Sequence, residues 1–211
     1  MNEFFNYIKR PTYREGFIKI NWGIFFLMTL IYLVFALSTI LIPLVTMKLT
    51  GITRLPLNLS FYQKVLFGII LAPIYEEVLL RILLVFNRKN LAIFTACCAV
   101  LFIYFFAKSN PKILIFSTLL AFSSIVYLYF DRCLVFINNH YRLFFYFSAI
   151  LFGLLHIFNF TGINCYNLIF TPLLVLPQIF LGLILGYLRV TYGFKYGVLF
   201  HAVVNVSILL A

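Results

Sequence analysis

Apolar residues run along this chain in long blocks rather than at the spacing of an amphipathic helix or the alternation of a strand. Polar punctuation divides them into about seven blocks: 22–46, 61–88, 91–107, 112–130, 143–160, 168–190 and 195–211. A helix needs about 20 mostly apolar residues to cross a bilayer, so the pattern predicts an all-α, polytopic membrane helix bundle of about seven transmembrane segments. The third and last blocks are short. Pro172 and Pro177 interrupt the sixth, whose first part is expected to be a re-entrant or loop piece. The segment 1–21 is a basic N-terminal stretch, expected to be cytoplasmic, and 22–211 forms one membrane domain.

Composition agrees with this reading. Of 211 residues 64% are hydrophobic and only 10% charged, against about 25% charged in a soluble globular domain. The first apolar run, from Trp22, is too long for the core of a signal peptide and lacks a cleavage site. Basic residues outnumber acidic ones, 16 to 5, but they fall between the apolar blocks as topology signals do. No nucleic-acid partner is implied, and the abundant Phe and Tyr read as lipid-facing bulk and interface belt. Lys9, Arg10, Arg14, Lys19, Arg88, Lys89, Arg132, Arg142, Arg189 and Lys195 fall on one side, and Lys48, Arg54, Lys64, Lys108 and Lys112 on the other. The positive-inside rule then places the N-terminus in the cytoplasm and the C-terminus outside. The N-terminal basic group is suited to anionic headgroups. Cys97, Cys98, Cys133 and Cys165 form no CxxC pair and read as free small hydrophobes.

The chemistry sits inside the blocks. Glu76 and Glu77 are adjacent within FYQKVLFGIILAPIYEEVLLRILLVF, with Arg81 one turn on. A charged group at bilayer depth costs about 3 kcal/mol even on the lenient insertion scale, and an intramembrane ionisable cluster is a functional-site candidate by default. Two further motifs break the apolar pattern: Phe152-Gly-Leu-Leu-His156 and His201-Ala-Val-Val-Asn205. Glu77 and Arg81 are i,i+4 and can pair. Glu76 lies about 100° round the helix from Glu77 and is free to face a cavity. His201 and Asn205 share one stripe. At ~1.5 Å per residue, Glu76 lies roughly 18 Å from the Arg88 end of its block, and His156 roughly 20 Å from Leu143. On the same scale His201 and Asn205 lie roughly 9 and 15 Å from Lys195. Three distant motifs can therefore meet at one depth.

Each piece has a plainer reading. Glu77–Arg81 could be a helix-locking ion pair, His156 a hydrogen-bonded core histidine, and His201 with Asn205 interhelical glue. His140 reads as solvated. Asn159, Asn164 and Asn167 read as loop caps, although Asn159 lies one turn from His156. Several chemistries are absent. No G-x-S occurs for a serine nucleophile, Asp131 is the only aspartate, and there is no H-E-x-x-H. Carboxylate, imidazole and amide remain, a set that can activate a water and stabilise an oxyanion.

EEVLLR, FGLLH and HAVVN resemble, in order, the EExxxR, FxxxH and HxxxN motifs of the CPBP (Abi) family of CAAX prenyl endopeptidases and bacteriocin-processing or self-immunity proteins. The proline in APIYEEVLLR adds to the likeness, which covers about 66–211. The resemblance implies an intramembrane endopeptidase, multi-pass in a bacterial plasma membrane. Glu76 and His156 would activate the water, His201 and Asn205 would form the oxyanion hole, and Glu77 and Arg81 would support the site. It implies a membrane-associated peptide or protein substrate, with or without a lipid; no cofactor is expected, because Asn is a poor zinc ligand but a good oxyanion donor. The separation of Glu76 from His156 is wider than the family usually shows, so 91–130 reads as an inserted pair of spans. Ile82 stands where the family has Gly. Three alternatives stay open: a zinc metalloprotease binding Zn2+ through Glu76, His156 and His201; a catalytically silent immunity or binding protein; and a transporter with a proton-relay Glu, which the lack of a visible inverted repeat disfavours.

Overall fold

The computed structural model describes residues 2–14, 16–56 and 58–210. The helices are α1 (Asn2–Lys9), α2 (Trp22–Thr39), α3 (Leu41–Thr50), α4 (Phe61–Gln63), α5 (Ala72–Arg81), α6 (Arg88–Ala107), α7 (Ile113–Leu128), α8 (Phe130–Asn139), α9 (Tyr141–Leu155), α10 (Thr171–Leu174), α11 (Leu176–Thr191) and α12 (Phe194–Asn205). A π-helical stretch, Lys64–Leu71, joins α4 to α5. The described residues contain one small sheet, β1 (Thr53–Arg54) antiparallel to β2 (Phe160–Thr161), with Arg54 opposite Phe160.

The all-α membrane bundle stands, but the span count does not reach seven by length and apolarity. Three described helical stretches are long and apolar enough to cross: Trp22–Thr50, Arg88–Ala107 and Tyr141–Asn159. Two bent pairs, α7 with α8 at 96° and Leu168–Leu174 with α11 at 56°, raise the number to five. The predicted block 61–88 is helical from Phe61 to Arg81, yet Lys64, Glu76, Glu77 and Arg81 lower its hydropathy. The residues that make it interesting remove it from the count. In the last block, α12 ends at Asn205 and a 3-10 segment follows. Pro172 and Pro177 each begin a helix, α10 and α11, because a proline needs no helical N–H in the first turn. The expected interruption of the sixth block is therefore where the chain bends.

Helix α11 is the centre of the molecule. Nearly every residue from Leu181 to Thr191 is buried, as expected of a helix apolar on all faces. Its closest neighbour is α9, and glycines set that approach. A Cβ on Gly182 would stand 2.6 Å from the Ala149 carbonyl oxygen, and one on Gly153 would stand 2.9 Å from the Ile179 nitrogen. Small residues let membrane helices come this near. Helix α1 docks rather than lying apart: Phe4 and Tyr7 are buried against Tyr187 and Phe145 in edge-to-face contacts. Lys9, Arg10 and Lys19 remain exposed. Helices α6 and α7, the expected insertion, form a hairpin closed by stacked Phe105 and Phe116, and Phe94 and Cys98 of α6 pack on Val78 and Ile82. All four cysteines are free.

Candidate functional site

Helix α5 carries the two glutamates, and its far end is tied down by side chains from elsewhere. The last carbonyls of a helix have no helical partner, and in a bilayer they must find one within the protein. Ser148 Oγ donates to Leu80 O at 2.6 Å. Arg189 donates through Nε to Arg81 O at 3.3 Å and through Nη2 to Ile82 O at 3.0 Å. Tyr141 OH reaches Leu84 O at 3.1 Å, and Asn90 Nδ2 reaches Val85 O. Arg189, assigned from sequence to a loop as a topology charge, is instead buried and caps α5. It lies at the end of an apolar run, where a capping arginine and a topology arginine look alike in sequence.

With α5 held, its polar residues meet α9 and α12. Glu77 and Arg81 are buried, at 1% and 0% side-chain exposure, with Arg81 Nη1 donating to Glu77 Oε1 at 2.9 Å. The same Oε1 lies 3.1 Å from His201 Nδ1. Since a carboxylate accepts, Nδ1 bears the hydrogen, and the ring is aimed so that Nε2 lies 3.7 Å from Glu76 Oε2. His201 therefore bridges the two adjacent carboxylates, and Glu76 has a basic neighbour that the sequence did not reveal. Glu76 Oε2 is enclosed, and among the described residues no hydrogen bond reaches it. Gly197 leaves room beside Glu77: a Cβ there would stand 3.3 Å from Oε2.

Phe152, fully buried, is the hub of the group. The Arg81 guanidinium lies 3.7 Å from its ring centroid. His156 and His201 meet its ring at centroid distances of 4.6 and 5.4 Å. His156 Nδ1 donates to Phe152 O at 2.8 Å. A carbonyl only accepts, so this bond leaves His156 Nε2 with its lone pair. Asn205 Nδ2 donates to Gly68 O at 2.9 Å.

Glu76, His156, His201 and Asn205 line one cavity of about 380 Å³, with Tyr32, Arg54, Gln178 and Asn159 also in its wall. A second cavity, about 530 Å³, shares Tyr75, Glu76, His156 and Asn159 but is otherwise walled mainly by Leu79, Leu80, Ile115, Leu155 and Phe158. The two cavities share Glu76 and His156. The asparagines divide. Asn164 and Asn167 cap the loop through mutual side-chain and backbone bonds, and Asn167 also donates to Gly162 O. Asn159 faces the cavities, and its carbonyl accepts from Leu55 N at 2.8 Å beside the small sheet. His140 is exposed, as expected, with Nδ1 bonded to Phe136 O at 3.0 Å. Arg54 and Gln178 were not singled out from sequence. Gln178, a lone amide in an apolar run beside Pro177, offered a signal, whereas Arg54 looked like any loop cation. Among the described residues no three His, Cys, Asp or Glu side chains converge to hold a metal ion.

No curated protein and no solved structure matches the chain. A family model does. Residues 134–207 match the family described as type II CAAX prenyl endopeptidase Rce1-like. That stretch contains the second and third motifs, with His156, His201 and Asn205, while Glu76 lies before it. Over residues 134–207, about a third of the 211-residue chain, the sequence is similar to the Rce1-like type II CAAX prenyl endopeptidases, a protease family, and the second and third motifs fall within that stretch.

Proposed function

We propose that this chain is an intramembrane endopeptidase that hydrolyses a peptide bond in a membrane-associated, lipidated protein or peptide. The observation that carries the reading is that the side chain of Glu76 lines one cavity together with His156, His201 and Asn205. A polar cavity meeting an apolar one at Glu76 and His156 suits a peptide that bears a lipid.

The chemistry follows from the donors and acceptors. With His156 Nδ1–H given to Phe152 O, both Glu76 and His156 Nε2 can accept. A water donating one hydrogen to each has its remaining lone pairs free for the scissile carbonyl. Glu76 takes the proton as the C–O bond forms and returns it to the departing amine as the C–N bond breaks. Such acid–base assistance contributes about 10²–10⁴-fold. The developing oxyanion is held by the second amide hydrogen of Asn205 and by His201 Nε2–H. Because Nδ1–H is committed to Glu77, Nε2 bears a hydrogen only in the imidazolium. In that state Glu76, Glu77, Arg81 and His201 sum to zero charge, which suits a low-dielectric site. Glu77 and Arg81 orient His201 rather than react. The reading is metal-free: His201 serves two carboxylates, and Asn205 is a poor metal ligand but a good oxyanion donor.

Purified protein incubated with a prenylated and an unprenylated peptide reporter, with zinc measured in wild type, His201→Ala and Asn205→Ala, tests this. Cleavage of the lipidated reporter without stoichiometric zinc is expected. Stoichiometric zinc lost only in the histidine variant would make the chain a metalloprotease. Failure of the wild type to cleave lipidated reporters would favour the silent immunity or binding protein.

A further inference from the structure

The helix leading into α5 changes type just before the glutamates. Lys64–Leu71 winds as a π-helix, and the amide of Ala72 donates to Phe67 O, five residues back. In that register the next donor belongs to residue 73 and its acceptor is Gly68 O. Residue 73 is proline, which has no N–H. The Gly68 carbonyl is thus denied its π-helical partner at membrane depth, where an unpaired carbonyl is costly. The bond it makes instead comes from another helix: Asn205 Nδ2, at 2.9 Å. Gly68 and Asn205 both line the cavity that holds Glu76, His156 and His201.

An amide nitrogen carries two hydrogens in a fixed plane. Committing one to Gly68 O sets the direction of the other. We infer that Pro73 is a positioning residue: by withholding an N–H it reserves the Gly68 carbonyl for Asn205, and so fixes the second Asn205 hydrogen in the cavity. The inference rests on the proposed role of Asn205 as an oxyanion donor. The plainer role for Pro73 is to start α5, where it is buried at the first turn. That role predicts a change in stability but none in the partner of Gly68 O.

The two are separated by a readout that needs no activity. Protein labelled with 13C at glycine carbonyls and 15N at isoleucine isolates the Gly68–Ile69 peptide among the few Gly-Ile pairs, and the carbonyl shift reports its hydrogen bond. Asn205→Ala should move the Gly68 carbonyl signal upfield as the bond is lost. Adding Pro73→Ala, which supplies an N–H, should return it downfield. Pro73→Ala alone should lower kcat by about tenfold with KM little changed, since a misdirected donor acts on the transition state. If Pro73→Ala does not insert, Pro73→Ser supplies the same N–H. A Gly68 signal in the double variant that stays where Asn205→Ala put it would overturn the inference. So would wild-type kcat in an active Pro73→Ala protein. If wild type cleaves nothing, the carbonyl shifts still decide whether Pro73 controls the bond, and only the catalytic reading falls.

Discussion

Replacing Arg81 by methionine should destabilise the protein more than replacing Arg81 and Glu77 together. Arg81→Met keeps the bulk of the side chain and leaves Glu77, 1% exposed, as a buried carboxylate whose remaining partner is His201 at 3.1 Å. Breaking a buried pair from one side costs about 3–5 kcal/mol, chiefly because of the stranded charge. The guanidinium also lies 3.7 Å from the Phe152 centroid, and losing a desolvated cation–π contact adds up to about 2 kcal/mol. The electrostatic cost is the larger and is the part that a second change can remove. In Glu77→Gln with Arg81→Met no charge is stranded, and the Gln oxygen can still accept from His201 Nδ1–H. The double variant should recover about 2 kcal/mol or more over Arg81→Met, within the range of measured couplings between touching residues. Reversible unfolding in detergent or bicelles for wild type, both single variants and the double gives the cycle. A double variant as unstable as the sum of the singles would refute the claim that Glu77 and Arg81 act as one buried unit.

Other substitutions test the frame around the site. Gly182→Ala should push α9 and α11 apart, because its Cβ would meet the Ala149 carbonyl oxygen at 2.6 Å. Overpacking of this kind costs about 1–3 kcal/mol and should appear as a lower unfolding temperature. Arg189→Met should strip the Arg81 and Ile82 carbonyls of their donor, at about 1–3 kcal/mol per buried unpaired group. It should also reduce turnover by loosening the end of α5, whereas Lys195→Met, on an exposed side chain, should leave both unchanged.

The polar groups of the site were legible because a membrane makes them conspicuous. Glu76, Glu77, Arg81, His156, His201 and Asn205 each interrupt an apolar block, and i,i+4 spacing alone put Glu77 with Arg81 on one face. What spacing could not supply is which helices touch. The His201 bridge to both glutamates joins α12 to α5 across 124 residues of sequence, and Gly68 meets Asn205 across 137. Length and apolarity support three to five spans among the described residues rather than confirming seven, in part for a physical reason: hydropathy treats a charged residue as evidence of water, and in block 61–88 Glu77 and Arg81 are buried inside the protein. Arg189 was misread for the converse reason, since a buried capping arginine and a cytoplasmic one occupy the same place in a sequence pattern. The 96° turn between α7 and α8 had no glycine or proline at Tyr129 to announce it.

The central claim is that Glu76 takes the proton from the attacking water. Glu76→Gln preserves the shape of the side chain and removes its basicity. Single-turnover cleavage of a prenylated peptide reporter by wild type and Glu76→Gln, with both shown to be folded by the same unfolding temperature, measures that step alone. A fall in rate of about 10²-fold or more is the predicted result, and a rate within a few-fold of wild type would contradict it.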